Sequence, residues 1–517
     1  MEPAAESAAQ GSLLVLTGIS CSQRSLPSNL TALVARVITL LENPKYTGLL
    51  GPFIGWKVDR FQTRDEARLE AARAPGRMAM TSSNQQGAAN WGEASAGSEF
   101  PPTASTGPAA ISRTTSMAKL QGRFYYPELD SVRFVLFCCV WGRHMLTTDL
   151  ASYSAHHVPM RLAMAITSMI NALMCSLDVF FIISGFLITQ LLLREKDLNG
   201  TVDLKAFYVR RLLRIWPLYF FVIGLAILLS VFDRSQALGW TYVLSFLLFA
   251  GNWGLALGHP LQAVILLPLW SVSFEEQFYL LWPLVLRRAS RKLIYGTVIG
   301  LLGVAALVRL ILLIEHSRGQ PMWFNSFVRA DSIACGILLA LIFHRREPPR
   351  LGIPKRLALL LLGGSAWVVV SKFCQLFDPV PTLAGGMIGY PLMSLGGVAI
   401  FLSFFGATRE GASFLKNSGL VYLGNITYGL YAYHFLGQQL SDYAFAGHHN
   451  HAHNYSWTLS QLCGLAITFL LAAASFKWLE TPFLRLKQRF TYVPSGFSNI
   501  SPKATSEFEP SSFVPAG

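Results

Sequence analysis

An all-α, polytopic transmembrane helical bundle of about ten spans plus one re-entrant segment is the fold class the sequence predicts, on three observations. The chain is 52% hydrophobic and only 14% charged, whereas soluble domains carry about 25% charged residues. Its apolar residues gather into runs close to the roughly 20 residues a bilayer-crossing helix needs, repeated from about residue 131 to 480. Its Lys and Arg residues fall between those runs, so the formal net charge of +14 reads as anchoring in cytoplasmic loops. The expected partner is therefore the lipid bilayer and not nucleic acid.

Three stretches differ in composition. Residues 1–117 are rich in Ala, Ser, Gly, Thr and Gln and hold no spanning run. They are expected to be a disordered, low-complexity extension, with Met78, Met80 and Met117 as alternative starts. Residues 118–484 form the transmembrane domain, and 485–517 a cytoplasmic tail. The apolar segments lie at about 131–148, 165–193, 207–231, 241–258, 268–286, 293–315, 326–344, 356–374, 384–406, 419–440 and 457–478. The basic loops at 194–214, 287–292 and 345–356 all fall inside only if one segment fails to cross. The stretch 241–258 is short, carries Gly251, Gly254 and Gly258 and runs into Pro260. It is assigned as re-entrant, since irregular backbone is tolerated at membrane depth when packed in protein. Ten spans then leave both termini cytoplasmic, in the inner or plasma membrane of the cell.

The seven cysteines (Cys21, Cys138, Cys139, Cys175, Cys335, Cys374 and Cys463) are scattered mainly within apolar runs. Their spacing fits neither a zinc site nor a disulfide framework, and no metal is expected. The histidines at 448, 449, 451 and 453 read as an exposed loop with incidental metal affinity.

Charged groups inside spans cost about 2.5–3.5 kcal/mol each on insertion scales and are functional candidates by default. In ELDSVRFVLFCCVWGRHM, Arg133 and His144 are eleven positions apart. On a helix they share one face at roughly 16 Å separation. Histidine is suited to take a proton from a hydroxyl near neutral pH. SLDVFFIISGFLIT supplies Asp178 and the small pair Ser184-Gly185, which lets another helix or an acyl chain approach. FYVRRLLRIWPLY places Arg211 and Arg214 on one helix face with Arg210 beside them, a set suited to phosphate oxygens.

LPLWSVSFEEQFYLLWPL carries the adjacent Glu275 and Glu276, which point about 100° apart on a helix. One of them is expected to orient His144 or to bind a sugar hydroxyl. FVRADSIACG adds Arg329 and Asp331, YLGNITYGLYAYHF adds Tyr431 and His434, and WLETPF adds Glu480. The expected sorting puts His144, Glu275, Glu276, Arg329, Asp331 and His434 toward the outer face. Arg133, the arginine cluster and Glu480 fall toward the inner one.

Over about residues 124–484 these motifs, in this order, resemble the acyltransferase 3 family of bacterial membrane O-acyltransferases. ELDSVR with His144 is similar to the family's LDGLR and Arg-x10-His pattern, DVFFIISGFLIT to FFxxSGFL, and RRLLRIWPLY to RRxxRIxPxY. WSVSFEEQFYLLWP, RADSIACG, YLGNITYGLYAYHF and the Glu480-Thr481-Pro482 triplet match the remaining segments. Ser131-Val132 and Thr427 depart from the family pattern without removing a reactive group. The stretch beyond Glu480 is too short for the fused extracytoplasmic hydrolase-like domain of some relatives.

The resemblance implies transfer of acetyl or a similar acyl group from acyl-CoA (acetyl-CoA), a co-substrate rather than a resident cofactor. The acceptor it implies is a hydroxyl of an envelope carbohydrate or glycolipid. It also implies His144 as base, Arg133 as its companion, and Arg211 with Arg214 on acyl-CoA. Arg210, Ser184 and Gly185 are expected to line the donor path. Glu275 and Glu276 are expected to support His144, with Arg329, Asp331, Tyr431 and His434 on the acceptor. The rival reading is a transporter or exporter of an envelope precursor, since polar residues along a bundle axis also serve translocation. A non-catalytic assembly subunit is a third.

Overall fold

Hydrocarbon offers a spanning chain no hydrogen-bonding partner, so backbone N–H and C=O groups must satisfy one another within helices. The computed structural model describes residues 125–233, 236–258, 261–315, 319–374, 381–445 and 455–490, and every regular element among them is helical. The expected extension at 1–117, the histidines at 448–453 and the tail beyond residue 490 lie outside the described residues.

Helix α1 (Pro127–Met145) opens on a proline at its first turn, where the missing N–H costs nothing. A short helix α2 (Leu150–Ala155) follows, N-capped by Asp149. Helix α3 (Met160–Ala172) passes through a 3₁₀ turn into α4 (Ser176–Asn199), making one continuous 40-residue run. It stops at Gly200, whose φ of 73° is the left-handed cap that glycine adopts without strain. Asp203 then caps α5 (Leu204–Phe232) through the Ala206 N–H. Beyond lie α6 (Trp240–Leu247), α7 (Gly251–Leu257), α8 (Leu269–Arg288), α9 (Arg291–Ile314), α10 (Gly319–Phe324) and α11 (Ala330–Ile342). The remainder are α12 (Ile353–Phe373), α13 (Leu383–Phe404), α14 (Ser418–Asn425), α15 (Thr427–Ala444), α16 (Tyr455–Ser475) and α17 (Thr481–Lys487). A π turn over Phe476–Glu480 joins the last two.

Seven of these runs are long and apolar enough to cross a membrane: α3–α4, α5, α8 with its preceding turn, α9, α12, α13, and α16–α17. Helix α11 has only 13 residues, while α1 and α15 are diluted by charged and polar side chains. On α9 and α12, Leu293, Ile299, Leu307, Ile314, Leu361 and Leu362 are exposed, more apolar surface than a water-facing helix carries.

The stretch 241–258 divides into α6 and α7, of eight and seven residues. At 1.5 Å per residue each reaches roughly 12 Å, well short of a bilayer. Between them Phe249 takes a φ of 55°, an unusual conformation for a bulky residue, and stacks on Tyr219 at 4.6 Å. The Gln277 amide donates to the Phe249 carbonyl and to Asn252 Oδ1, each at 2.8 Å. Asn252 donates in turn to Ser326 Oγ at 2.8 Å, and Ser326 to Gln277 Oε1 at 2.7 Å. This closed ring of buried amides and hydroxyl fixes the hairpin against α8.

Close helix approach sets the rest. Gly185 on α4 faces Gly336 on α11 so tightly that a Cβ on either would meet backbone of the other helix. Glu128 at the start of α1 accepts from the Gly406 N–H at 3.0 Å and Thr408 Oγ1 at 3.1 Å, holding α1 to the loop after α13. In that loop Glu410 accepts from the Leu351 and Gly352 N–H groups and from Arg356 Nε at 3.0 Å.

The Arg356 guanidinium, helped by those two N–H groups, holds the Glu410 carboxyl below its ordinary value of 4.5. A depressed folded value means the stabilisation is complete above the ordinary value and is lost as pH falls through the folded one. Glu410→Gln is expected to lower stability at neutral pH by about 1–2 kcal/mol, a charge-assisted bond discounted for solvent. In thermal unfolding of detergent-solubilised protein, the gap to wild type should close between about pH 6 and pH 3.

Candidate active site

Three polar clusters form within the bundle, and they divide the sequence-derived candidates differently from expectation. The first gathers around α5. Arg211 is half-buried, with its guanidinium 5.6 Å from the Phe207 ring centre and 5.3 Å from that of Tyr279. It makes no ion pair among the described residues, and its Nε is buried without a hydrogen-bond partner. Arg214 is exposed one turn on, within electrostatic range of Arg133, Asp130 and Glu480. Lys487 of α17, read in the sequence only as part of a basic tail, stands near Arg210, Arg211 and Arg214.

Arg210 behaves differently from its neighbours. Its Nη2 pairs with Glu195 at 2.8 Å and its Nη1 donates to the Phe490 carbonyl at 2.8 Å, so the side chain is 5% exposed and already neutralised. Its carboxylate partner distinguishes Arg210 from Arg211 and Arg214 within the expected three-arginine set. Arg133 pairs with Asp130 at 2.6 Å, one turn back on α1.

The two glutamates of α8 belong to this same cluster. Glu275 Oε2 accepts from Ser184 Oγ at 3.0 Å and from the Tyr279 hydroxyl at 2.6 Å. Glu276 accepts from Trp216 Nε1 at 3.2 Å, and its other oxygen is buried without a partner. Neither carboxylate bonds to His144, because α8 brings them level with Arg133 and Arg211 rather than with the end of α1. Ser184 faces this cluster while Gly185 faces α11, so the pair splits between a site-lining role and helix packing. Tyr279 was missed in the sequence, although its place one turn after Glu275 was the signal for it.

The second cluster sits at the other end of α1. The His144 and His434 rings stand 5.4 Å apart, with Phe435 4.9 Å from His144 and 4.4 Å from His434. His144 is half-buried and His434 fully buried. Tyr431, one turn before His434, shares a 2.8 Å hydrogen bond with Ser271 of α8. Just past His144, a groove of about 330 Å³ is lined by Thr147, Ser152, Tyr153, His156, Val158, Trp457 and Thr458.

The third cluster is a buried ion network. Arg329 pairs with Asp178 at 3.0 Å, and Arg309 with Asp331 at 2.5 Å. Ser332 donates to Asp178 and bonds Ser394 at 2.8 Å. Arg329 lies 4.3 Å from the Trp323 ring centre, and both Arg309 and Arg329 are at most 2% exposed. Arg329 and Asp331 are thus buried and held by oppositely charged partners on neighbouring helices. Arg309 went unnoticed, though it is the one arginine inside the apolar run 293–315.

Among the described residues the cysteines are free, and no three His, Cys, Asp or Glu side chains converge as metal ligands.

Long apolar helices enclosing these paired arginines, carboxylates and histidines define a membrane-embedded acyltransferase domain. A family model described as an acyltransferase domain matches residues 126–477, and the chain belongs to this acyltransferase 3 family. It is 26% identical over 343 residues to a putative O-acetyltransferase of Staphylococcus aureus (strain MRSA252), covering 61% of this chain and 54% of that protein. The peptidoglycan O-acetyltransferase OatA of Listeria monocytogenes is 26% identical over 333 residues, covering 59% of this chain and 50% of that protein. The O-acetyltransferase OatA of S. aureus (strain MRSA252) is 26% identical over 347 residues, covering 63% and 55%. The chain thus spans about half the length of the curated relatives it matches. No solved structure matches it.

Arg329→Met leaves Asp178 as an uncompensated buried charge, expected to cost about 3–5 kcal/mol. Adding Asp178→Asn should restore much of the loss. Fluorescence-detected size exclusion after graded heating measures both.

Proposed function

We propose that the chain transfers an acetyl or similar acyl group from acyl-CoA, bound at the arginine end, to a hydroxyl of an extracytoplasmic carbohydrate at the histidine end. Peptidoglycan is the acceptor that a relative's name suggests. The observation that carries this reading is the separation of two arginines on α5, without ion-pair partners among the described residues, from a half-buried histidine at the far end of α1.

Arg211 and Arg214 supply guanidinium donors for the donor's phosphates, and the aromatic faces of Phe207 and Tyr279 hold Arg211 in place without neutralising it. From there the flexible arm of acyl-CoA would extend past Ser184, Glu275 and Tyr279 over the roughly 16 Å that separate Arg133 from His144. The acceptor enters from the groove beside Thr147 and Tyr153. His144 removes the hydroxyl proton as the oxygen attacks the thioester carbonyl. The tetrahedral intermediate collapses with loss of the CoA thiolate, which takes the proton back from His144. The new ester leaves outward and free CoA inward.

This reading takes α1, α11 and α15 as the three spans that complete a set of ten with the seven apolar ones. Helices α6 and α7 make the re-entrant hairpin. Both termini and residues 210–214 then lie on the cytoplasmic side.

His144→Ala should abolish labelled ester in liposomes given radiolabelled acetyl-CoA on one side and peptidoglycan on the other, with insertion unchanged. Full retained transfer would sink the assignment, and a transporter would form no labelled acceptor. Arg211→Ala and Arg214→Ala should each raise KM for acetyl-CoA about tenfold, equivalent to about 1.4 kcal/mol, with a smaller effect on kcat. Cysteines placed at residues 147 and 214 should label from opposite sides of sealed vesicles.

A further inference from the structure

The two ring nitrogens of His434 have unequal surroundings. Nδ1 lies 2.7 Å from the carbonyl oxygen of Tyr431, one turn earlier on α15. A carbonyl only accepts, so this contact places the proton of the neutral ring on Nδ1. Nε2 is then left as a lone pair, and it is buried with no hydrogen-bond partner among the described residues. An orphaned buried acceptor is uncommon and asks for a donor.

Four rings surround it. Phe435 and Phe137, at 4.4 and 6.4 Å, have no N–H or O–H to give. Tyr431, at 5.7 Å, has its hydroxyl on Ser271 at 2.8 Å. His144, at 5.4 Å and tilted by 33°, is the remaining one and carries a ring N–H. An N–H···N contact of about 3 Å between two imidazoles, with a ring radius added at each end, puts their centres on the order of 5 Å apart. The observed centre separation is close to that value, but the rings as oriented form no hydrogen bond, so a turn of the His144 ring is what seats its N–H on Nε2.

We propose that His434 is the positioning residue for His144: its Nε2 accepts the His144 N–H, fixing the tautomer whose other nitrogen presents its lone pair to the acceptor hydroxyl. The inference rests on the acyl-transfer reading above and adds the group that sets the base's orientation. Burial separates the two roles. His434 is 1% exposed, whereas His144 is half-buried and precedes by three residues the groove-lining Thr147, so the proposal assigns His434 to the base and not to the acceptor.

The arrangement has the logic of an oriented histidine base, in which a buried acceptor selects the ring nitrogen that carries the proton. Here the acceptor is a neutral imidazole. A carboxylate at the same depth would bring a net charge with no cation assigned to it, at the cost charged groups incur in hydrocarbon. His434 gains no proton in the reaction. Its Nδ1–H stays on the Tyr431 carbonyl while the transferred proton resides on His144.

The test uses full-length protein with [15N]histidine in detergent micelles, and the acetyl-CoA and peptidoglycan assay in liposomes. Wild-type His144 should show one dominant tautomer with a hydrogen-bonded N–H, and His434→Ala should convert it to a mixture. In the assay His434→Ala should lower kcat about 100-fold or more, in the range of acid–base assistance, with KM for acetyl-CoA within about twofold. His434→Gln, whose amide oxygen can accept the same N–H, should recover at least about tenfold of that loss. An unchanged His144 tautomer in a His434→Ala protein of normal elution volume overturns the proposal, as does a Gln variant no better than Ala. If wild-type protein acetylates no peptidoglycan, the acyl-transfer reading fails while the 15N comparison still decides the pairing.

Discussion

A charge inside hydrocarbon must find a counter-charge or a polar path to water, and this constraint organises the bundle. Arg329 meets Asp178, Arg309 meets Asp331 and Arg210 meets Glu195, each pair joining two different helices. Removing one partner would strand the other, so these pairs hold α4 against α11, α9 against α11, and α4 against α5. Against that background Arg211 and Arg214 stand out by lacking such partners among the described residues. One rule thus separates the cations that build the bundle from those whose counter-charge the described residues do not supply.

The same rule explains what was readable before any coordinates. Runs of apolar residues broken by basic loops disclose a helical membrane protein, because span length and loop charge are local properties. The short, glycine-bearing stretch 241–258 is divided at Phe249 into two short helices. Pairing was not legible. Arg329 and Asp178 are 151 positions apart, and nothing local tells a paired arginine from an unpaired one. Arg210, Arg211 and Arg214 consequently read alike in the sequence, although the structure neutralises the first of them.

Helix geometry sets a second limit. Adjacent residues on α8 were expected to diverge by about 100°, and they do so in effect: Glu275 meets Ser184 and Tyr279 while Glu276 meets Trp216. The direction of divergence was available, but the depth was not. Depth depends on how α8 slides along α1 and α5, which tertiary packing decides.

The helices with the weakest claim to span a membrane are the ones that carry the proposed base and its partner. Helix α1 loses apolar character to Asp130, Arg133 and His144, and α15 to Tyr428, Tyr431, His434 and Gln438. A hydropathy criterion passes over both helices for that reason. Their polar side chains can be tolerated because surrounding apolar helices take the lipid contact: α9, α12 and α16 expose leucines outward, while His434 and Gln438 stay buried. The fold therefore works as two layers, an apolar sleeve that meets the cost of the bilayer and a polar core that need not. Only within such a sleeve can a reaction path run from one membrane face toward the other without opening the bilayer to water.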